Sequence, residues 1–132
     1  MLYILAVDYD GTLFEGTWPK LGSPREDVIE QTKAFIKHGA EVVLWTCRES
    51  KSLQEAVSRC TEQGLEFNAI NENTTASKEY QQTKLIEKGE VFGLRKIYAD
   101  IYVDDKSPGS IEYFLALNAK EECKRKQRRG DD

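Results

Sequence analysis

A single histidine, His38, in 132 residues leaves little for catalysis that needs an imidazole beside a serine or cysteine nucleophile, and it falls at the end of a predicted helix. The three cysteines, Cys47, Cys60 and Cys123, form no C-x-x-C pair and have no histidine pattern near them. That argues against a disulfide framework or a zinc site and fits a reducing cytoplasm. Positive charge is not in excess. The formal net charge is −4, so no global field draws nucleic acid. No apolar run approaches the roughly 18 residues of a membrane span. Nor does a basic segment with a cleavable apolar stretch open the chain, where Met1 leads straight into a strand pattern. The expectation is a cytoplasmic protein without membrane contact and with one core.

What is present is a regular alternation of short apolar runs and amphipathic stretches. Leu2 to Val7 reads as a strand buried on both faces, and residues 14–24 as a loop around Trp18. Ser23-Pro24-Arg25-Glu26 has the form of a helix start, with Ser23 as N-cap and Glu26 closing a capping box. The helix carries Val28, Ile29, Thr32, Phe35 and Ile36 on one face and stops at Gly39. Glu41–Trp45 is the second strand, followed by the turn 46–49. A second helix carries Leu53, Ala56, Val57 and Cys60 inward and ends at Gly64. Leu65–Ile70 reads as a third strand and Ile97–Val103 as a fourth. Between them, residues 71–95 are a polar stretch with one short helix. Ser107-Pro108 starts a last helix that fades into the basic run KRKQRR. The alternation predicts right-handed βαβ units: an α/β, Rossmann-like three-layer sandwich with a central parallel sheet. Residues 1–119 form the domain and 120–132 a basic helix end or tail.

Ligands in such sheets sit at the carboxyl ends of the strands. This rule gathers Asp8 and Asp10 after strand one, Thr46 after strand two, and Asp104 and Asp105 after strand four. In a strand, residues two apart point to the same side, so Asp8 and Asp10 are expected to crowd together unless a cation relieves them. Carboxylates without histidine or thiolate make a hard oxygen site suited to Mg²⁺, which commonly bridges to phosphate. One carboxylate can attack phosphorus, a second can shuttle the proton, and a hydroxyl and an ammonium can hold the phosphate.

Asp8-Tyr9-Asp10-Gly11-Thr12-Leu13 resembles the D-x-D-G-T-[L/V] signature of the haloacid dehalogenase-like (HAD) phosphatase superfamily. Thr46 resembles that family's second motif and Asp104-Asp105 its acidic fourth motif, so the resemblance spans roughly residues 3–118. It implies Asp8 as nucleophile and Asp10 as general acid/base, with the Asp10 main-chain carbonyl also a metal ligand. Thr46 would hold phosphate, Asp104 would be the principal acidic Mg²⁺ ligand, and Asp105 its helper. Asp10 is absent from the family's dehalogenases, which favours phosphate transfer. Lys96 begins a stretch similar to K-P-x-A-D-x-x-x-D-D in small HAD hydrolases, with Ile97 in the proline's place; Lys84 and Lys78 are alternatives for the same role. Gly11, Thr12, Cys47 and Arg48 complete the expected phosphate or substrate contacts.

The gaps after the first and third strands hold no inserted domain, so the resemblance implies a capless enzyme with an open site. The segment 71–83 is where a lid or a homo-oligomer contact would lie. The expected substrate is a small phosphorylated molecule, a sugar phosphate first. A polynucleotide-end or nucleotide phosphatase is the alternative within the class, and a non-catalytic or receiver-like phospho-acceptor domain the alternative outside it. The basic tail is a solvated helix end in this reading, with nucleic-acid contact as its alternative.

Overall fold

Ile4, Leu5, Ala6 and Val7 are all buried because β1 (Ile4–Asp8) runs through the middle of a parallel sheet. The computed structural model describes residues 2–89 and 96–129. Among these, four strands line up as β3-β2-β1-β4, with β2 at Glu41–Trp45, β3 at Ala69–Ile70 and β4 at Ile101–Val103. β1 is in register with β2 from Ile4↔Glu41 to Asp8↔Trp45, and with β4 from Leu5↔Ile101 to Val7↔Val103. The chain steps outward from β1 to β2 and β3, then returns to the far side of β1 to form β4. Strand order therefore reverses between β1 and β4, and the crevice at their carboxyl ends is where such sheets bind ligands.

Alternation along the strands separates two cores. Leu5, Val7, Val42, Leu44 and Val103 face the larger one, which takes in Val28, Ile29 and Phe35 of α1 (Glu26–Lys37) and Ala56 and Cys60 of α2 (Ser50–Glu62). Each fully buried Val, Leu, Ile or Phe side chain among them contributes about 1.5–3 kcal/mol. Ile4, Ala6, Val43 and Ile97 form a smaller cluster on the other face. There α3 (Thr75–Glu87) is anchored by polar contacts. Its N-cap Thr74 accepts from the Ser77 amide and donates to Glu41, and Asn73 binds the backbone of Lys96 and Tyr98. The α/β sandwich with an all-parallel central sheet is thus as the sequence predicts.

Several boundaries differ from expectation. The helix start at Ser23-Pro24 is not used: the Ser23 carbonyl accepts from Glu15 and Pro24 bridges to Phe14, so these residues close the loop and α1 begins at Glu26. The third strand is shortened to two residues because the Asn68 side chain, in addition to its main chain, takes up β2's backbone at Val42. The fourth starts at Ile101 because Asn73 occupies the Tyr98 amide and the Asp100 carboxylate accepts from Ile4. The last helix is two: α4 (Ser110–Leu115), whose end is closed by Gln31 donating to the Phe114 and Leu117 carbonyls, and α5 (Ala119–Arg129), capped by Asn118. Reading 120–132 as a solvated tail is corrected through residue 128. Ala119 and Cys123 lie in the main core, and Lys126 is held at 2.7 Å by Asp100. Residues 130–132, and 90–95 of the long gap, lie outside the described residues.

Candidate active site

Asp8 closes β1, and the chain beyond it breaks into a turn at once. The i,i+2 rule for strands therefore stops applying, and the expected pairing of Asp8 with Asp10 is corrected. Asp8 instead meets the acidic pair from the β4 loop: Asp8, Asp104 and Asp105 each place a carboxylate oxygen within 4.8 Å of the others. Burial pushes the Asp8 carboxyl up from 3.8 to about 7, and Asp104 adds to the rise. The Tyr9 amide opposes this, while Asp105 and Asp10 contribute smaller increments. These three oxygens could hold a hard divalent cation, whose charge would offset their repulsion.

Gly11 explains how Asp105 comes so close. Its φ is +78°, and a Cβ there would lie 2.2 Å from Asp105 Oδ2. Thr12 is wholly buried, and its hydroxyl accepts from the Asp105 amide at 3.0 Å. The Gly-Thr of the first motif thus ties the β1 loop to the β4 loop. Neither residue lines the cleft, which corrects their assignment to phosphate contact.

Asp10 stands apart from the acidic group. Arg48 donates from Nε to Oδ2 at 2.9 Å and from Nη2 to Oδ1 at 2.7 Å, holding both oxygens at once. The guanidinium also donates to Ser52 and to the Lys20 carbonyl, and it lies 4.9 Å over the Tyr9 ring. Arg48 is itself only 3% exposed, and its hydrogen bond to Asp10 raises its pKa further. Expected as a substrate contact, Arg48 is instead a buried clamp on Asp10. Thr46 is set by Asn71, which adopts φ +53° and pairs its side-chain amide with the Thr46 N–H and C=O, each at 2.8 Å. The Thr46 hydroxyl accepts from the Arg48 amide, leaving its own proton for a ligand.

Asp8, Asp10, Thr46, Cys47, Asn71, Asp104 and Asp105 open on one cavity of about 630 Å³, together with Trp18, Trp45 and Lys106. None of the three lysines weighed in the sequence lines it among the described residues. Lys96 lies 6.0 Å from the Tyr102 ring, Lys84 pairs with Glu87 on α3, and Lys78 pairs with Glu72. The lysine on the cavity wall is Lys106, 3.9 Å from Asp105 and largely in solvent. Sequence reasoning missed it, although it directly follows the acidic pair. It also missed Asn71, whose signal is weaker: a residue type that tolerates positive φ, placed just after a strand. Phe14 is fully buried and stacks on Tyr9 at 4.7 Å, so only Trp18 of the loop's two aromatics reaches the cavity.

No helix among the described residues is long and apolar enough to cross a membrane. No family model and no curated protein matches the chain. Among solved structures, a conserved protein coded by a locus of Bacteroides thetaiotaomicron is similar at 27% identity with a TM-score of 0.65. The likeness covers 98% of this chain and 93% of that one, so the α/β architecture is shared nearly from end to end.

Proposed function

We propose that this chain is a divalent-cation-dependent phosphomonoester hydrolase in which Asp8 is the nucleophile. The observation that carries the reading is the convergence of Asp8, Asp104 and Asp105 at the switch point of the sheet, inside a cavity of small-molecule size. Asp8, Asp104 and Asp105 would hold Mg²⁺, which when bound would neutralise their charge and that of an incoming phosphoryl group. Asp8 attacks phosphorus, the bond to the leaving oxygen breaks, and an aspartyl-phosphate forms on the chain. Thr46 donates its free hydroxyl proton to a phosphoryl oxygen. Lys106, on its flexible stem at the cavity wall, supplies the cationic contact that the sequence had assigned to Lys96.

Asp10 delivers a proton to the leaving oxygen and then accepts one from the attacking water. Arg48 takes one lone pair on each Asp10 oxygen and leaves the other, so it positions the acid/base carboxylate and restrains it. A second reading rests on that same clamp. If the clamp holds Asp10 away from the attacking water, phosphorylated Asp8 would persist, and the protein would act as a phospho-acceptor.

The test is Mg²⁺-dependent phosphate release from an aryl phosphate, with the Asp8→Asn protein as blank. The expected result is turnover that falls by about 10³-fold or more in the variant and vanishes with chelator. One aryl alcohol released per chain, with the phosphoryl group retained on Asp8 and no phosphate freed, would favour the phospho-acceptor. No metal-dependent difference between the two proteins would overturn both.

A further inference from the structure

Two tryptophans, the only two in the chain, both open on the acidic cavity. Trp18 is 61% exposed and Trp45 42%, and of the exposed large hydrophobics among the described residues only these two line the cavity. Neither is a loose surface residue. Trp45 ends β2 level with Asp8, its partner in register, which places it beside the nucleophile by strand geometry alone. Trp18 is fixed by its indole N–H, which donates to Ser52 at 3.0 Å. The same Ser52 hydroxyl accepts from Arg48, the clamp on Asp10. The polar edge of Trp18 is thus satisfied within the protein while its faces are left to solvent. An aromatic held this way loses little conformational entropy when a flat ring stacks on it.

We infer that Trp18 and Trp45 are the recognition wall for the organic part of the substrate, and that this part is a nucleobase: the site takes a nucleoside monophosphate. The inference rests on the phosphohydrolase reading above and names its substrate class. The two indoles are the large apolar side chains of a cavity onto which four aspartates also open. A base presents two π-faces that stack on such a wall, which glucose and glycerol lack. The cavity's 630 Å³ falls within the roughly 300–1,000 Å³ range of small-molecule sites, enough for a phosphate at the carboxylates and a base on the indoles. This reverses the order in which the sequence ranks sugar phosphates and nucleotides.

Because the chain has no other tryptophan, its intrinsic fluorescence reports this wall directly. The full-length Asp8→Asn protein, which binds without turnover, is titrated with adenosine 5′-monophosphate, glucose 6-phosphate and glycerol phosphate in the presence of Mg²⁺. The expected result is saturable quenching by the nucleotide and little change with the other two. Adding Trp18→Ala or Trp45→Ala weakens nucleotide affinity about tenfold, and the corresponding tyrosine variants recover most of it. In the parent protein the ratio of kcat/KM for the nucleotide to that for glycerol phosphate falls about tenfold with either alanine. Both side chains are exposed, so the alanine proteins should keep the parent's unfolding temperature. Equal use of all three phosphates, unmoved by either alanine, would overturn the inference and leave the hydrolase standing. Quenching by the sugar phosphate alone would also overturn it. Quenching by the nucleotide with no phosphate released from any substrate would support the wall and overturn the hydrolase.

Discussion

Asp8 is placed where burial and like charge both oppose its ionisation, and that has a stability consequence with a definite sign. Its carboxyl, at about 7 in the fold against 3.8 ordinarily, binds a proton more tightly folded than unfolded. The stability it contributes is complete below about pH 4 and is lost as pH rises through 7. In chelator, Asp8→Asn should therefore raise the unfolding temperature most at pH 8 and clearly less at pH 5. Mg²⁺ should raise that of the parent at pH 8 and barely move that of the variant. Differential scanning calorimetry at the two pH values checks both. Gly11 acts at the same scale. Gly11→Ala would set a methyl on Asp105 and force φ +78° on an L-residue, so Mg²⁺ affinity measured by calorimetry should drop at least tenfold. The acidic residues are legible in the sequence because strand ends and carboxyl edges coincide in parallel sheets. Which of them meet is not. The partition of Asp8 to the β4 loop and of Asp10 to Arg48 depends on where β1 stops.

At the scale of elements, the sequence reads central strands and buried helix faces well, since β1 and β2 are continuous apolar runs and α1 and α2 have clear stripes. It fails where side chains substitute for backbone. Asn68, Asn73 and Asp100 each take hydrogen bonds that a strand would otherwise supply, and this trims β3 and β4 to fragments. Asp100 is the most consequential of the three. One oxygen accepts from the Ile4 amide at 2.8 Å, and the other from Lys126 at 2.7 Å and from the Tyr98 hydroxyl. It joins β1, the approach to β4 and α5 in one knot of half-buried polar groups. Asp100→Ala takes the carboxylate from the Ile4 amide and leaves the Lys126 ammonium with the Tyr98 hydroxyl but no counter-charge. The expected cost is about 2–3 kcal/mol, or roughly 5–10 °C in unfolding temperature. The variant's rate of the proposed hydrolysis at 20 °C should stay within about twofold of the parent's, because the knot lies at the opposite end of the strands from the cavity. A large loss of rate in a folded Asp100→Ala protein would contradict that separation.

For the molecule as a whole, one sheet with two unequal cores sets what is needed for folding. α5 completes the larger core through Ala119 and Cys123 and docks on α1, although its sequence is mostly charge. Its role was hidden because two small buried residues in a basic run give almost no apolar signal. A chain ended at residue 118 should lose cooperative thermal unfolding and bind a hydrophobic dye, whereas a merely solvated tail would be dispensable. The Asp100 knot has a further consequence. The contacts that secure β1 to β4 and α5 lie at the amino ends of the strands, and the residues proposed to choose a substrate lie at the carboxyl ends. Mutational tolerance should be divided the same way. A library varied at Thr17, Trp18, Trp45 and Cys47, which line the cavity, should yield mostly folded proteins with altered preferences, and one varied around Ile4, Asp100 and Lys126 mostly unfolded ones. The scaffold is accordingly evolvable at one pole and constrained at the other.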